Sequence, residues 1–208
     1  MSTQSGFRRV YSTETAIIRI LSDLLDAVDR NDTAMLVSLD LTAAFNSVDH
    51  GILLERLRVT YIVDNSVLAW FRSYLAGRRQ HVRRGGKCSV RIDVTCGVPQ
   101  GSVLGPILFI IYIADLASIV AEHGLSLHQY TDDSQIYGSC RPDAPSLFLF
   151  TVCLDSIASR MRSNRLQLNS DKTEVMCCAS TRKLSQLRSL PLSVAGALVC
   201  PVNAVRDL

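Results

Sequence analysis

Two short apolar runs end beside carboxylates, and this arrangement constrains the chain more than any other feature. AMLVSLD (residues 34–40) closes on Asp40, while SLHQYT (126–131) and SQIYGS (134–139) flank Asp132 and Asp133. Short apolar stretches bounded by turn-forming residues read as strands, and the second pair reads as a hairpin. Side chains alternate along a strand, but at a tight turn two neighbours need not face opposite ways. An Asp-Asp pair taken alone is most often a solvated turn. A second strand ending in Asp40 changes the reading, because two such strands side by side bring three carboxylates to one sheet edge. Hard oxygen ligands of that kind are what a pair of magnesium ions about 3.5–4 Å apart requires.

The rest of the chain frames those strands. Residues 13–30 place Ala16, Ile17, Ile20, Leu21, Leu24, Leu25 and Val28 on one face at the helical period, with Ser12 or Thr13 as cap. Asp49 and Asp64 precede helical stretches 50–59 and 65–76, and residues 78–94 alternate around Gly85-Gly86 as a hairpin. A loop through Pro99-Gln100-Gly101 enters the apolar run Val103–Val120, which reads as a buried helix. Pro106 and Asp115 lie within that run, and the penalty for a charged residue in a lone membrane span argues against crossing. Asp143 and Pro145 open a helix to about Arg165, and 173–180 and 192–200 are strand-like. Helices and strands interleave without a steady βαβ beat, so the expected class is α+β in a single domain. With 48% hydrophobic and 20% charged residues the chain is globular rather than disordered. The polar N-terminus lacks a signal-peptide core, so an intracellular site is expected, nucleus or cytoplasm undistinguished. Seven cysteines without a C-x-x-C pair read as idle or buried thiols in a reducing compartment.

LVSLDLTAAFNSVDHGILLERL, GVPQGSVLGPILF, YTDDSQIY and LQLNSDKTEV resemble, in order and separation, the successive palm motifs of reverse transcriptases, nearest those of non-LTR (LINE-type) retrotransposons. QSGFRRVYSTETA resembles the segment leading into the first motif. The resemblance covers nearly the whole chain. It implies a polymerase palm, a small antiparallel sheet packed on helices, with partial fingers at 1–33 and 60–95, palm at 34–59 and 96–190, and an unfinished tail at 191–208. It implies RNA-directed DNA synthesis, with an RNA template, a DNA primer, deoxynucleoside triphosphates and two Mg2+ ions, Mn2+ being an alternative.

Residue by residue, the resemblance makes Asp40 and Asp132 the principal metal ligands and Asp133 the third acidic member. Phe45 matches the aromatic that excludes a ribose 2′-hydroxyl; without the family it reads as a core phenylalanine. Gln100 and Gly101 match a template and nucleotide holder, otherwise a helix-entry loop. Lys172 matches a proposed acid for the leaving pyrophosphate, a sensible role for a lysine that would otherwise be a solvated charge. Arg78, Arg79, Arg83, Arg84 and Lys87 are suited to phosphate contacts that carry no sequence information, or else protect an exposed strand edge.

Two departures stand out. The family's first motif usually reads A-F-D, whereas this chain has Ala44-Phe45-Asn46. The match also begins after the earlier finger motifs and stops before the primer grip and thumb, so a fragment with little activity of its own is expected. The competing reading is an inactive remnant or an adopted, non-catalytic nucleic-acid-binding protein.

Overall fold

Ser12 starts the first helix through a reciprocal cap: its hydroxyl accepts from the Thr15 N–H, and Thr15 Oγ1 accepts from the Ser12 N–H. The computed structural model describes residues 12–140, 144–180, 183–184 and 191–205. The QSGFRRVY segment and Asp143 lie outside the described residues. In chain order the first elements are α1 (Thr13–Asp29), β1 (Thr33–Leu39), a 3₁₀ turn (Ala44–Asn46), α2 (His50–Val59), α3 (Asn65–Leu75), β2 (Arg79–Gln80), β3 (Arg83–Arg84), β4 (Lys87–Cys88) and β5 (Ile92–Asp93). There follow α4 (Leu104–Tyr112), α5 (Leu116–Glu122), β6 (Ser126–Tyr130), β7 (Asp133–Cys140), α6 (Ala144–Ser163), β8 (Glu174–Cys178), β9 (Leu192–Val194), β10 (Ala197–Val199) and β11 (Pro201–Val202). The class is α+β, as the interleaving predicts. The chain divides into two compact units, Met1–Thr42 with Ala114–Leu208, and Ala43–Ile113.

The first unit is built on a five-stranded sheet of order β11-β8-β1-β7-β6. β1 sits at its centre, antiparallel to β7 and β8. One sheet face carries Ala34 and Leu36 of β1 with Tyr137 of β7, and Ile20, Leu24 and Ala27 of α1 pack on it. Each of these apolar side chains, once removed from water, contributes on the order of 1–3 kcal/mol. The Tyr137 hydroxyl donates to Asp23 Oδ2 at 2.9 Å, tying α1 to β7. Burial, then that acidic partner, pushes the Tyr137 phenol up to about 12. On the opposite face Gly138 packs closely, since a Cβ there would stand 2.8 Å from Leu125 Cδ2, forcing that side chain to turn aside, and 3.8 Å from the Phe150 ring of α6. Covered on both faces, β1 reads as a nearly continuous apolar run.

The second unit holds α2, α3, the nested hairpin and α4. Asp49 and Asp64 cap α2 and α3, accepting from the Ile52 and Ser66 N–H groups at 2.9 and 2.6 Å. β3 and β4 pair across Gly85-Gly86, both at positive φ, and β2 and β5 pair outside them. That two-residue turn needs φ above zero at both positions, which glycine adopts without strain.

The apolar run 103–120 is not one helix. The ladder of α4 ends with Ile113 N–H on Phe109 O and resumes in α5 with Ile119 N–H on Asp115 O. Asp115 sits at the second helix's start, where a negative charge meets the positive end of the helix dipole. By length and composition Leu104–Glu122 could cross a membrane, yet Leu108, Phe109, Tyr112, Leu116 and Val120 are all buried here. Of the cysteines, Cys153 is buried and Cys88, Cys96 and Cys200 are exposed, all free thiols. Burial raises the Cys153 thiol to about 11, in keeping with an inert role.

His128 of β6 is buried, and its Nε2 has no hydrogen-bond partner among the described residues. Burial, then the nearby Arg19 charge, lowers its pKa. The folded state therefore favours the neutral ring, and below the ordinary histidine pKa of about 6.5 the unfolded chain takes up protons that the fold resists. Stability to urea should be flat between that pH and about 8 and decline below it, and it should fall again at higher pH, where the unfolded chain's thiols ionise and the buried Cys153 thiol does not. His128→Gln should flatten the acid side of the profile.

Candidate active site

Strand register brings the acidic residues together. β1 pairs with β7 from Thr33↔Cys140 to Leu39↔Ser134, so the next step sets Asp40 opposite Asp133. On its other edge β1 pairs with β8 from Ala34↔Cys178 to Ser38↔Glu174, and continuing that register sets Asp40 opposite Lys172. Residues directly opposite in antiparallel strands point to the same face with Cα atoms about 4.5–5.5 Å apart. Ser38, Asp40, Asp133 and Glu174 thus lie on the face whose apolar half α1 covers, beyond the end of that cover. The result is an open cleft of ≈ 310 Å³ lined by Ser38, Leu39, Asp40, Asp133, Asp171, Lys172 and Glu174.

Asp40 is held in two ways by Asn169. The Asn169 N–H donates to the Asp40 carbonyl at 2.9 Å, and Asn169 Nδ2 donates to Asp40 Oδ2 at 3.0 Å. Asn169 is itself fixed, because its carbonyl accepts from Thr173 Oγ1 at 2.8 Å and from the Thr173 N–H at 3.0 Å. An antiparallel bridge between Leu41 and Leu168 closes the segment onto the end of β1. Lys172 Nζ stands 3.9 Å from Asp40 Oδ2 with its side chain 71% exposed, an ion pair worth well under about 1 kcal/mol.

The acidic pair divides its labour at the hairpin. Tyr130 pairs with Asp133, leaving Thr131 and Asp132 as a two-residue turn. Thr131 takes φ +64, the left-handed region, which is strained for a β-branched side chain. Asp133 begins β7 and lines the cleft, whereas Asp132 sits half-buried in the turn and does not line it. The donor set is chemically suited to Mg2+, which prefers carboxylate oxygens. Among the described residues, no three His, Cys, Asp or Glu side chains stand at metal-holding spacing. The cleft therefore offers Asp40 and Asp133 as neighbours, with Asp132 one residue away.

Phe45 belongs to the second unit. Its ring lies 4.8 Å from that of buried Phe109, tilted 35°, and it remains half-buried. Its carbonyl accepts from the Val98 N–H at 2.9 Å. Gly97, at φ +80, makes this possible, because a Cβ there would meet the Asn46 backbone at 2.9 Å. The Asn46 side chain itself is exposed. Gln100 and Gly101 occupy the expected turn before α4, with Gln100 exposed and Gly101 at φ +79. Arg78 donates to the Gly97 carbonyl at 2.5 Å and Arg79 pairs with Asp93 at 2.9 Å, while Arg83, Arg84 and Lys87 are exposed. Thus the register gathers Asp40, Asp133 and Lys172, and two of the five hairpin cations have internal partners. Asn169, Asp171 and Glu174 are additions that only the folded chain reveals.

Residues 1–195 match the family described as reverse transcriptase (RNA-dependent DNA polymerase). The chain belongs to the reverse transcriptase family. This reverse transcriptase chain is 30% identical over 204 residues to a probable RNA-directed DNA polymerase from transposon BS of Drosophila melanogaster, covering 94% of the chain and 22% of that protein. It is 32% identical over 185 residues to the corresponding X-element protein of the same fly, covering 86% and 20%. The chain therefore spans about a fifth of the length of these relatives. Its fold is similar to apo telomerase of Candida tropicalis (TM-score 0.63, 15% identity, 95% of this chain and 39% of that one). It is also similar to telomerase of Candida albicans in complex with a TWJ fragment of telomeric RNA (TM-score 0.63, 14% identity, 92% and 33%).

Because Asn169 joins the end of β1 to the segment before β8, Asn169→Ala should lower unfolding stability by about 1–2 kcal/mol, measured by denaturant titration. A change below about 0.3 kcal/mol would show that the side-chain bond to Asp40 does not hold the cleft.

Proposed function

We propose that this chain is the nucleotide-joining core of a transposon RNA-directed DNA polymerase, extending a DNA primer on an RNA template with deoxynucleoside triphosphates. The observation that carries the reading is Asp40 fixed by Asn169 beside Asp133 in an acidic cleft at the open end of the sheet. Asp40 and Asp133, joined by Asp132 from the turn, would hold two Mg2+ or Mn2+ ions, whose chemistry is to neutralise the triphosphate and sharpen the primer 3′-hydroxyl as nucleophile. Lys172 lines the cleft with an exposed ammonium and would give a proton to the departing pyrophosphate. Phe45, seated on Phe109, acts as the ring that refuses a 2′-hydroxyl. Gln100 and Gly101 hold the templating strand and nucleotide, and Arg83, Arg84 and Lys87 meet phosphates. The names of the transposon relatives and the RNA in the Candida albicans complex support nucleic acid as the partner.

The test is primer extension on poly(rA)/oligo(dT) with Mg2+, using this chain joined at both ends to flanking sequence from a transposon relative. Asp40→Asn and the double Asp132→Asn, Asp133→Asn variant should each cut synthesis by at least about a hundredfold. Synthesis that survives either change would contradict the assignment. In the same assay Phe45→Ala should raise ribonucleotide incorporation relative to deoxynucleotide, and unchanged selectivity would remove Phe45 from that role.

A second reading, an inactive remnant that still binds nucleic acid, is favoured by one observation: Asp132 does not line the cleft that Asp40 and Asp133 share. It predicts binding of primer–template without extension by the wild-type sequence.

A further inference from the structure

Helix α3 buries Leu68 and Leu75 and turns a different face outward. On that face Val67 is 46% and Trp70 52% exposed. The Trp70 and Tyr74 rings are stacked, 5.5 Å apart and 10° from parallel, and Phe71 meets Trp70 edge-on at 5.2 Å. A half-exposed indole stacked on Tyr74 beside exposed Val67 makes an apolar aromatic patch of the kind that marks a binding surface. The charge around it indicates what binds there. From Asn65 to Ile92 the chain carries seven Arg or Lys and no Asp or Glu, and α3 runs through Ala76-Gly77 straight into the basic hairpin. Arg78 and Arg79 have partners within the hairpin, which leaves Arg72, Arg83, Arg84, Lys87 and Arg91 exposed; a covering apolar protein surface does not call for five such cations, whereas a polyanion whose bases present flat π-faces matches both features.

We propose that the Trp70–Tyr74 face of α3 is a stacking platform for unpaired RNA, with the basic hairpin contacting the phosphates of the same strand. The proposal rests on the polymerase reading for its choice of RNA, since an RNA template has an unpaired stretch before it is copied. Bases in a duplex are stacked on one another and cannot lie on an indole, so the platform discriminates single from double strands. Stacking on an aromatic side chain is sequence-tolerant, because every base has a π-face. The phosphate contacts are equally indifferent to sequence and make affinity fall with salt.

Trp70 is the sole tryptophan in the chain, so its emission reports on this surface alone. Titrating the full chain with a twelve-residue oligouridine should quench that emission saturably. A blunt RNA duplex of equal length should leave it unchanged. By anisotropy of labelled oligouridine, Trp70→Ala or Tyr74→Ala should weaken binding about 5- to 100-fold, the range that one lost stacking contact represents. Trp70→Phe should keep most of the affinity, and Trp70→Leu should behave like alanine. Arg83→Ala with Arg84→Ala should reduce the salt dependence while leaving the quenching at low salt. Leucine restoring binding as well as phenylalanine would overturn the platform, as would the absence of quenching. Tighter binding of oligothymidine than oligouridine would overturn the choice of RNA. A blue shift that grows with protein concentration in the absence of RNA would mean that a second copy covers the face, and would also overturn it. The titration contains no primer and no nucleotide, so its failure leaves the polymerase reading standing, and loss of synthesis in the Asp40 variant leaves the platform standing.

Discussion

β1 is hydrogen-bonded along both edges and covered on both faces, and the site is measured from the point where it stops. A strand in that position cannot slip by one residue without turning its buried set toward the wrong layer. Its register against β7 and β8 is therefore fixed by the packing of Ala34, Leu36 and their neighbours, well away from the acidic end. Asp40 inherits that precision: the hydrophobic core decides which carboxylate stands opposite it. Chemistry that depends on placing charges to within a fraction of an ångström is well served by side chains at the end of such a strand.

The polar end is possible because α1 covers only part of the sheet face. Over Ala34, Leu36 and Tyr137 the helix excludes water; past it, Ser38, Asp40, Asp133 and Glu174 stay hydrated, so several carboxylates can share a small cleft without the cost of a buried charge. Asn169 and Lys172 temper the repulsion, one by donating a hydrogen bond and the other by its positive charge. The strain at Thr131 fits the same pattern. A left-handed β-branched residue is held where the hairpin must turn in two residues and still deliver Asp133 to the strand and Asp132 to the turn.

Much of this was legible from the residues. The helix over 13–30, the aspartates that precede the helices at 50 and 65, the glycine pair at 85–86 and the two apolar runs ending in carboxylates are local signals, although Leu21 and Leu25, expected on the first helix's buried face, are exposed. What the sequence hid depends on contacts across long separations. Asn169 reaches Asp40 over 129 residues, and nothing in its own neighbourhood announces that bond. That Asp133 rather than Asp132 lines the cleft follows from a turn of two residues, and moving the turn by one would have exchanged them. The division of the apolar run into α4 and α5 was equally hidden, since Ile113, Ala114 and Asp115 carry no glycine or proline to mark the break. The motif resemblance identified the family, and the family match over residues 1–195 agrees with it.

The central claim is that the end of β1 is a divalent-cation site built from Asp40 and the Asp132–Asp133 hairpin. Crystals of the chain grown with Mn2+ and recorded at the manganese absorption edge test it most directly. The account predicts anomalous density about 2.0–2.2 Å from a carboxylate oxygen of Asp40 and from one of Asp133 or Asp132, lost in crystals of Asp40→Asn. Manganese bound only elsewhere, or density at the cleft that persists without the Asp40 carboxylate, would contradict it.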